Sequence, residues 1–106
     1  MKIAVIITQN NPEQVFTALR FANFALKEGD NVSIFLAAEG VELEKINDPR
    51  FDVLGQAESF IHGGGKIQAC GSCLKLRDSA GSDVCPLSTM QEMYTIVKES
   101  ERVVTF

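Results

Sequence analysis

Residues 2–26 read KIAVIITQNNPEQVFTALRFANFAL, and this stretch decides the fold. Its first six residues, Lys2 to Ile7, are almost uninterrupted apolar and rich in β-branched side chains, the pattern of a strand buried on both faces of a parallel sheet. Asn11, Pro12 and Glu13 then make a helix start: an Asn cap, Pro at the first helical position, and an acid in the first turn. Val15, Phe16, Leu19, Ala22 and Leu26 recur at helical spacing until Gly29 ends the run. A central strand followed by a covering helix is thus the first unit.

NVSIFLAA, from Asn31, repeats the strand signal, and about two dozen residues through a helix is the crossover length that a parallel pairing needs. The following region, EGVELEKINDPRFDVLGQAESFIHGGG, predicts a helical piece broken at Asp48 and Pro49, then a helix from Phe51 to His62 stopped by Gly63 to Gly65. KIQAC, residues 66–70, is a third strand. Ser88 with Gln91 reads as a capping box before a helix whose apolar face includes Met90, Met93, Tyr94 and Val97. RVVTF, residues 102–106, is a closing strand. Alternating strands and helices predict an α/β sandwich on a mainly parallel sheet of four or five strands, with no internal repeat.

The chain has 106 residues, 45% of them apolar and 23% charged, which fits one globular domain over residues 1–106. The formal charge is −4 and the ten basic residues are scattered, so no cationic face for nucleic acid is expected. No apolar stretch approaches the roughly 20 residues of a membrane span, and the N-terminus turns polar too soon for a signal peptide. A cytoplasmic location with no membrane partner is the expectation. Three cysteines, an odd number, argue for reduced thiols with chemical or packing roles and against a disulfide framework.

Chemistry in such folds gathers at the carboxyl ends of strands. Cys70 stands at such an end, in KIQACGSCLKL, and three readings compete there. A strand, C-x-x-C and a helix is how a thioredoxin-like dithiol presents itself, although that fold needs more strands after the motif than remain here. Cys70, Cys73 and Cys85, with His62, form a candidate set for zinc or an iron–sulfur cluster, but one C-x-x-C is only half of the strong signal. In the third reading Cys70 is a single nucleophile, favoured as a thiolate by backbone amides at the helix start and by the charges of Lys75 and Arg77. Plain packing is the bland alternative for free cysteines. His62, just before Gly63, reads as a residue that satisfies the last carbonyls of its helix, or as an acid or ligand. GGGK lacks the spacing of a phosphate loop and leads into a strand, so neither a nucleotide cofactor nor any other is assigned, and no metal.

Three stretches taken together, KIAVIITQNNPEQVFTALRFANFAL, IQACGSCLKLR and CPLSTMQEMYTIVKESERVVTF, resemble the DsrE/DsrF-like family of small sulfur-relay proteins over essentially the whole chain. The resemblance implies a flavodoxin-like three-layer α/β sandwich and assembly into homo- or hetero-oligomers, trimers or hexamers. It implies that Cys70 accepts sulfane sulfur as a persulfide and relays it from a donor protein to an acceptor protein, with Arg77 the matching arginine. Two departures stand out: Cys73 between them, and Asp78 where an Arg-Gly pair is usual. Cys73 then reads as a resolving thiol. The alternatives are a non-catalytic oligomeric binding or regulatory subunit, and a dithiol or metal-binding protein using Cys70, Cys73 and Cys85.

Overall fold

The computed structural model describes all residues, 1–106. Its elements are β1 Lys2–Ile7, α1 Pro12–Lys27, β2 Asn31–Leu36, a 3-10 segment Ala38–Lys45, α2 Val53–His62, β3 Lys66–Cys70, α3 Gly71–Lys75, β4 Leu87–Ser88, α4 Met90–Glu99 and β5 Arg102–Thr105. The five strands form one sheet in the order β4-β3-β2-β1-β5, and every pairing is parallel. This is the flavodoxin-like α/β sandwich expected from the sequence, with β1 between β2 and β5.

Each step from β1 to β4 moves one strand in the same direction, so right-handed crossovers put α1 and α2 on one face. They pack on each other there. The step from β4 to β5 runs back across the sheet, which carries α4 over the opposite face. Ala4 to Ile7 of β1 are buried, as are Ile34, Phe35 and Leu36 of β2, so the central strands are apolar on both sides. Phe35 and Phe60 are the largest fully buried side chains, and truncating either to alanine costs about 3–5 kcal/mol.

Helix α1 starts as its sequence dictates: the Asn11 side chain accepts the Gln14 N–H and Pro12 opens the helix. Helix α2 begins at Val53, not Phe51, because the Asp52 carboxylate accepts the Gly55 N–H and caps it there. The piece before Asp48 is 3-10 rather than α-helical. Its Gly40 packs so closely on the Ile7 carbonyl that a Cβ there would collide with it, and this contact seats the loop after β2 on the end of β1.

Two expectations for the last helix are corrected. Its cap is Thr89, whose hydroxyl accepts the Glu92 N–H, one residue beyond the expected Ser88 and Gln91 pair. Ser88 is instead buried in β4, where its hydroxyl accepts from the Gln68 amide. The apolar face also divides. Met93 and Ile96 pack against the core, while Met90 and Tyr94 are 64% and 62% exposed and Val97 is exposed beside them.

Candidate functional site

The carboxyl ends of β1, β2 and β3 lie side by side, and three connections leave from them. β3 delivers Cys70 directly into α3, because its backbone stays extended (φ −58°, ψ 119°) for one residue before the chain turns helical at Gly71. Gly71 packs against the Ser88 carbonyl and the Leu87 side chain of β4, leaving no room for a Cβ. Cys70 is 4% exposed and belongs to the core. Its Sγ lies 3.3 Å from the Ser72 hydroxyl.

The burial of Cys70 pushes its thiol up, yet the thiol is held below its ordinary pKa. The Ser72 hydroxyl, the Cys73 thiol and the backbone N–H groups of Cys73 and Ser72 together outweigh the burial. Neither Lys75 nor Arg77 is among the main causes: α3 ends at Lys75, and the Arg77 guanidinium is engaged by Glu42. Hydrogen-bond donors around a buried sulfur favour its thiolate form.

Cys73 is partly exposed, and its Sγ accepts the Ala38 N–H at 3.2 Å from the loop after β2. Ala38 adopts a left-handed backbone (φ 50°), uncommon for a residue with a Cβ. Arg77 Nε donates to Glu42 Oε2 at 2.6 Å and Arg77 Nη1 to the Cys73 carbonyl at 3.0 Å. Asn10, from the β1 end, donates to the other Glu42 oxygen at 3.3 Å. The Glu42 hydrogen bond is the main reason that the arginine is raised, with smaller contributions from the charges of Cys73 and Glu39. Arg77 thus braces the backbone of Cys73.

The third cysteine stands apart in character. Cys85 is buried, its N–H donates to Ser82 Oγ, and Ser82 in turn donates to Glu44. Burial, reinforced by the negative Glu44, pushes its thiol up to about 12, so it remains a protonated packing residue. No three of the His, Cys, Asp and Glu side chains gather as a ligand set, so the grouping of Cys70, Cys73, Cys85 and His62 is not assembled. His62 is exposed at the end of α2, where the amides of Gly63, Gly64 and Gly65, not its imidazole, bond the last carbonyls. A cleft of about 470 Å³ along residues 44–54 and one of about 190 Å³ beside α4 include neither Cys70 nor Cys73 in their walls.

Sequence reasoning missed Ala38 and Glu42; Asn10, at the crevice end of β1, is legible from its place at the strand end, and it bonds Glu42 there. Ser72 was within reach, since a hydroxyl two residues after a candidate nucleophile is visible in CGSC. Glu42 and Ala38 carry no local signal, because only the β2 crossover brings them to Cys73.

An all-parallel five-stranded sandwich with thiols at the end of its third strand defines a small α/β thiol protein. The chain belongs to the DsrE/DsrF-like family, whose model matches residues 1–106, and this is a sulfur-relay-related family whose members work with partner proteins. It is similar to the uncharacterized protein MJ0989 of Methanocaldococcus jannaschii, 39% identical over 114 residues with both chains fully covered. It is also similar to the uncharacterized protein MK0008 of Methanopyrus kandleri, 38% identical, covering 98% of this chain and 93% of that one. The crystal structure of the YchN protein from E. coli superposes with a TM-score of 0.86 at 19% identity, covering both chains fully, which shows the shared fold. No helix is long and apolar enough to cross a membrane.

Proposed function

We propose that the protein is a cytoplasmic, single-domain sulfur carrier that holds sulfane sulfur as a persulfide on Cys70. The observation that carries this reading is the Cys70 thiol itself, held low despite burial by the Ser72 hydroxyl and the Cys73 groups. In loading, a protein thiolate attacks the outer sulfur of a donor persulfide, and the donor leaves as a thiolate. Delivery reverses this chemistry toward an acceptor protein. Arg77 supports the site through Cys73. Assembly into a homo-oligomer, a trimer or hexamer, accounts for the exposed Met90 and Tyr94 on α4.

The test is to incubate the reduced protein with a sulfane donor and measure intact and peptide masses. Gain of one sulfur atom on Cys70 is the expected result. Loss of two hydrogens across Cys70 and Cys73, with no sulfur gained, favours the second reading, a dithiol switch, which the C-x-x-C spacing at the start of α3 supports.

A further inference from the structure

The two thiols of the C-x-x-C pair differ in what can reach them. Cys70 is 4% exposed, walled by β4, whose Ser88 is its register partner. Cys73 is partly exposed, and it alone is held by an amide from another part of the chain, the Ala38 N–H at 3.2 Å. Ala38 itself is exposed, so the Cys73 sulfur sits at the rim of the β2 loop. Its left-handed backbone is uncommon for a residue with a Cβ, and Gly40, pressed on the Ile7 carbonyl, seats the loop that carries it. Arg77, anchored by Glu42, fixes the Cys73 carbonyl from the other side. A persulfide carried on another molecule therefore meets Cys73 before Cys70. Cys70 is the cap residue of α3 and Cys73 stands in its first turn, so the two side chains lie at the same end of the helix.

We propose that Cys73 is the entry and exit thiol of the carrier, taking sulfane sulfur from an external persulfide and passing it inward to Cys70, where it is stored away from water. This rests on the reading that Cys70 carries a persulfide.

The Cys73 thiolate attacks the outer sulfur of R–S–SH. The donor S–S bond breaks, R–S⁻ leaves, and Cys73–S–SH forms. The Cys70 thiolate then attacks that outer sulfur. The Cys73 S–S bond breaks, Cys70–S–SH forms, and Cys73 departs as a thiolate that recovers the proton given up by Cys70. The sum converts R–S–SH and a thiol into R–SH and Cys70–S–SH, with no net oxidant or reductant. Delivery runs the same two exchanges backwards.

The test follows the position of the added sulfur with time by peptide mass, using glutathione persulfide as donor and the wild type, Cys70→Ser, Cys70→Ala and Cys73→Ser proteins. Cys70→Ala is included because it puts no polar atom into the core. Wild type is expected to end with sulfur on Cys70, both Cys70 variants to retain it on Cys73, and Cys73→Ser to load Cys70 at least about tenfold more slowly. Loading of Cys73→Ser at the wild-type rate overturns the proposal, and so does an unlabelled Cys73 in both Cys70 variants. A wild type that takes up no sulfur at all instead overturns the carrier reading beneath it.

Discussion

Arg77 is tied to Glu42, with Nε 2.6 Å from Oε2, and this ion pair links the end of α3 to the 3-10 segment. The tie fixes where the arginine acts: its Nη1 donates to the Cys73 carbonyl. Arginine at this place is therefore part of a brace.

The brace is pH-dependent in a defined sense. The Arg77 hydrogen bond, then that of Asn10, holds the Glu42 carboxyl below the usual carboxylate range. The folded state thus binds the Glu42 proton less readily than the unfolded state, and stability rises with pH through that window. Glu42→Gln should lower the urea midpoint at neutral pH. The difference from wild type should stay constant above about pH 5 and shrink as pH falls below the ordinary carboxylate pKa of about 4.3 and on through the lower folded one. A difference that persists unchanged in acid would falsify the assignment.

Cys85 predicts the opposite slope at the alkaline end. Its folded thiol titrates at about 12, above the usual cysteine value, so the unfolded state loses the proton first. The contribution is fully present below about pH 8.5 and declines as pH rises toward 12. Cys85→Ala should cost about 1 kcal/mol near neutrality and flatten this alkaline loss in urea titrations. In native protein iodoacetamide should modify Cys73 first, and Cys85 only after denaturant is added.

Asp78 follows Arg77 with φ 52°, the left-handed conformation that suits glycine after a helix. An aspartate thus holds a backbone conformation that glycine adopts without strain. Asp78→Gly should raise stability by about 0.5–1 kcal/mol, seen as a higher urea midpoint, without changing sulfur uptake. A lower midpoint would mean that the Asp78 side chain contributes more than its backbone costs.

The outer face of α4 should govern assembly. Tyr94→Glu places a charge where 62% of the side chain is exposed in the single chain. It should leave the circular dichroism spectrum unchanged while shifting the sedimentation velocity profile toward monomer. An unaltered oligomer would place the subunit contact on another surface.

Much of the fold was legible because its signals are local. Asn11 and Pro12 start α1, and the alternation of buried strands and amphipathic helices set the parallel sheet. β4 escaped because Leu87 and Ser88 are too short a run to show a period, and with β4 unseen the cap was assigned to Ser88 instead of Thr89. Helix α4 has apolar residues on two stripes, and only the sheet decides that Met93 and Ile96 turn inward while Met90 and Tyr94 do not. The thiols were legible from the strand end. Their surroundings were not, since Ala38 reaches Cys73, and Glu42 reaches Arg77, across more than thirty residues of chain.

The seating of β1 between β2 and β5 has a consequence for biosynthesis. The Lys2 amide bonds Glu101, 99 residues away, and Ile3 to Ile6 find one of their two partner strands only in residues 102–105. While the ribosome is still making α4, β1 presents a bare row of backbone donors and acceptors, open to wrong pairing. That edge closes only when residues 102–105 pair with Ile3 to Ile6, so the last strand to be made completes the central one.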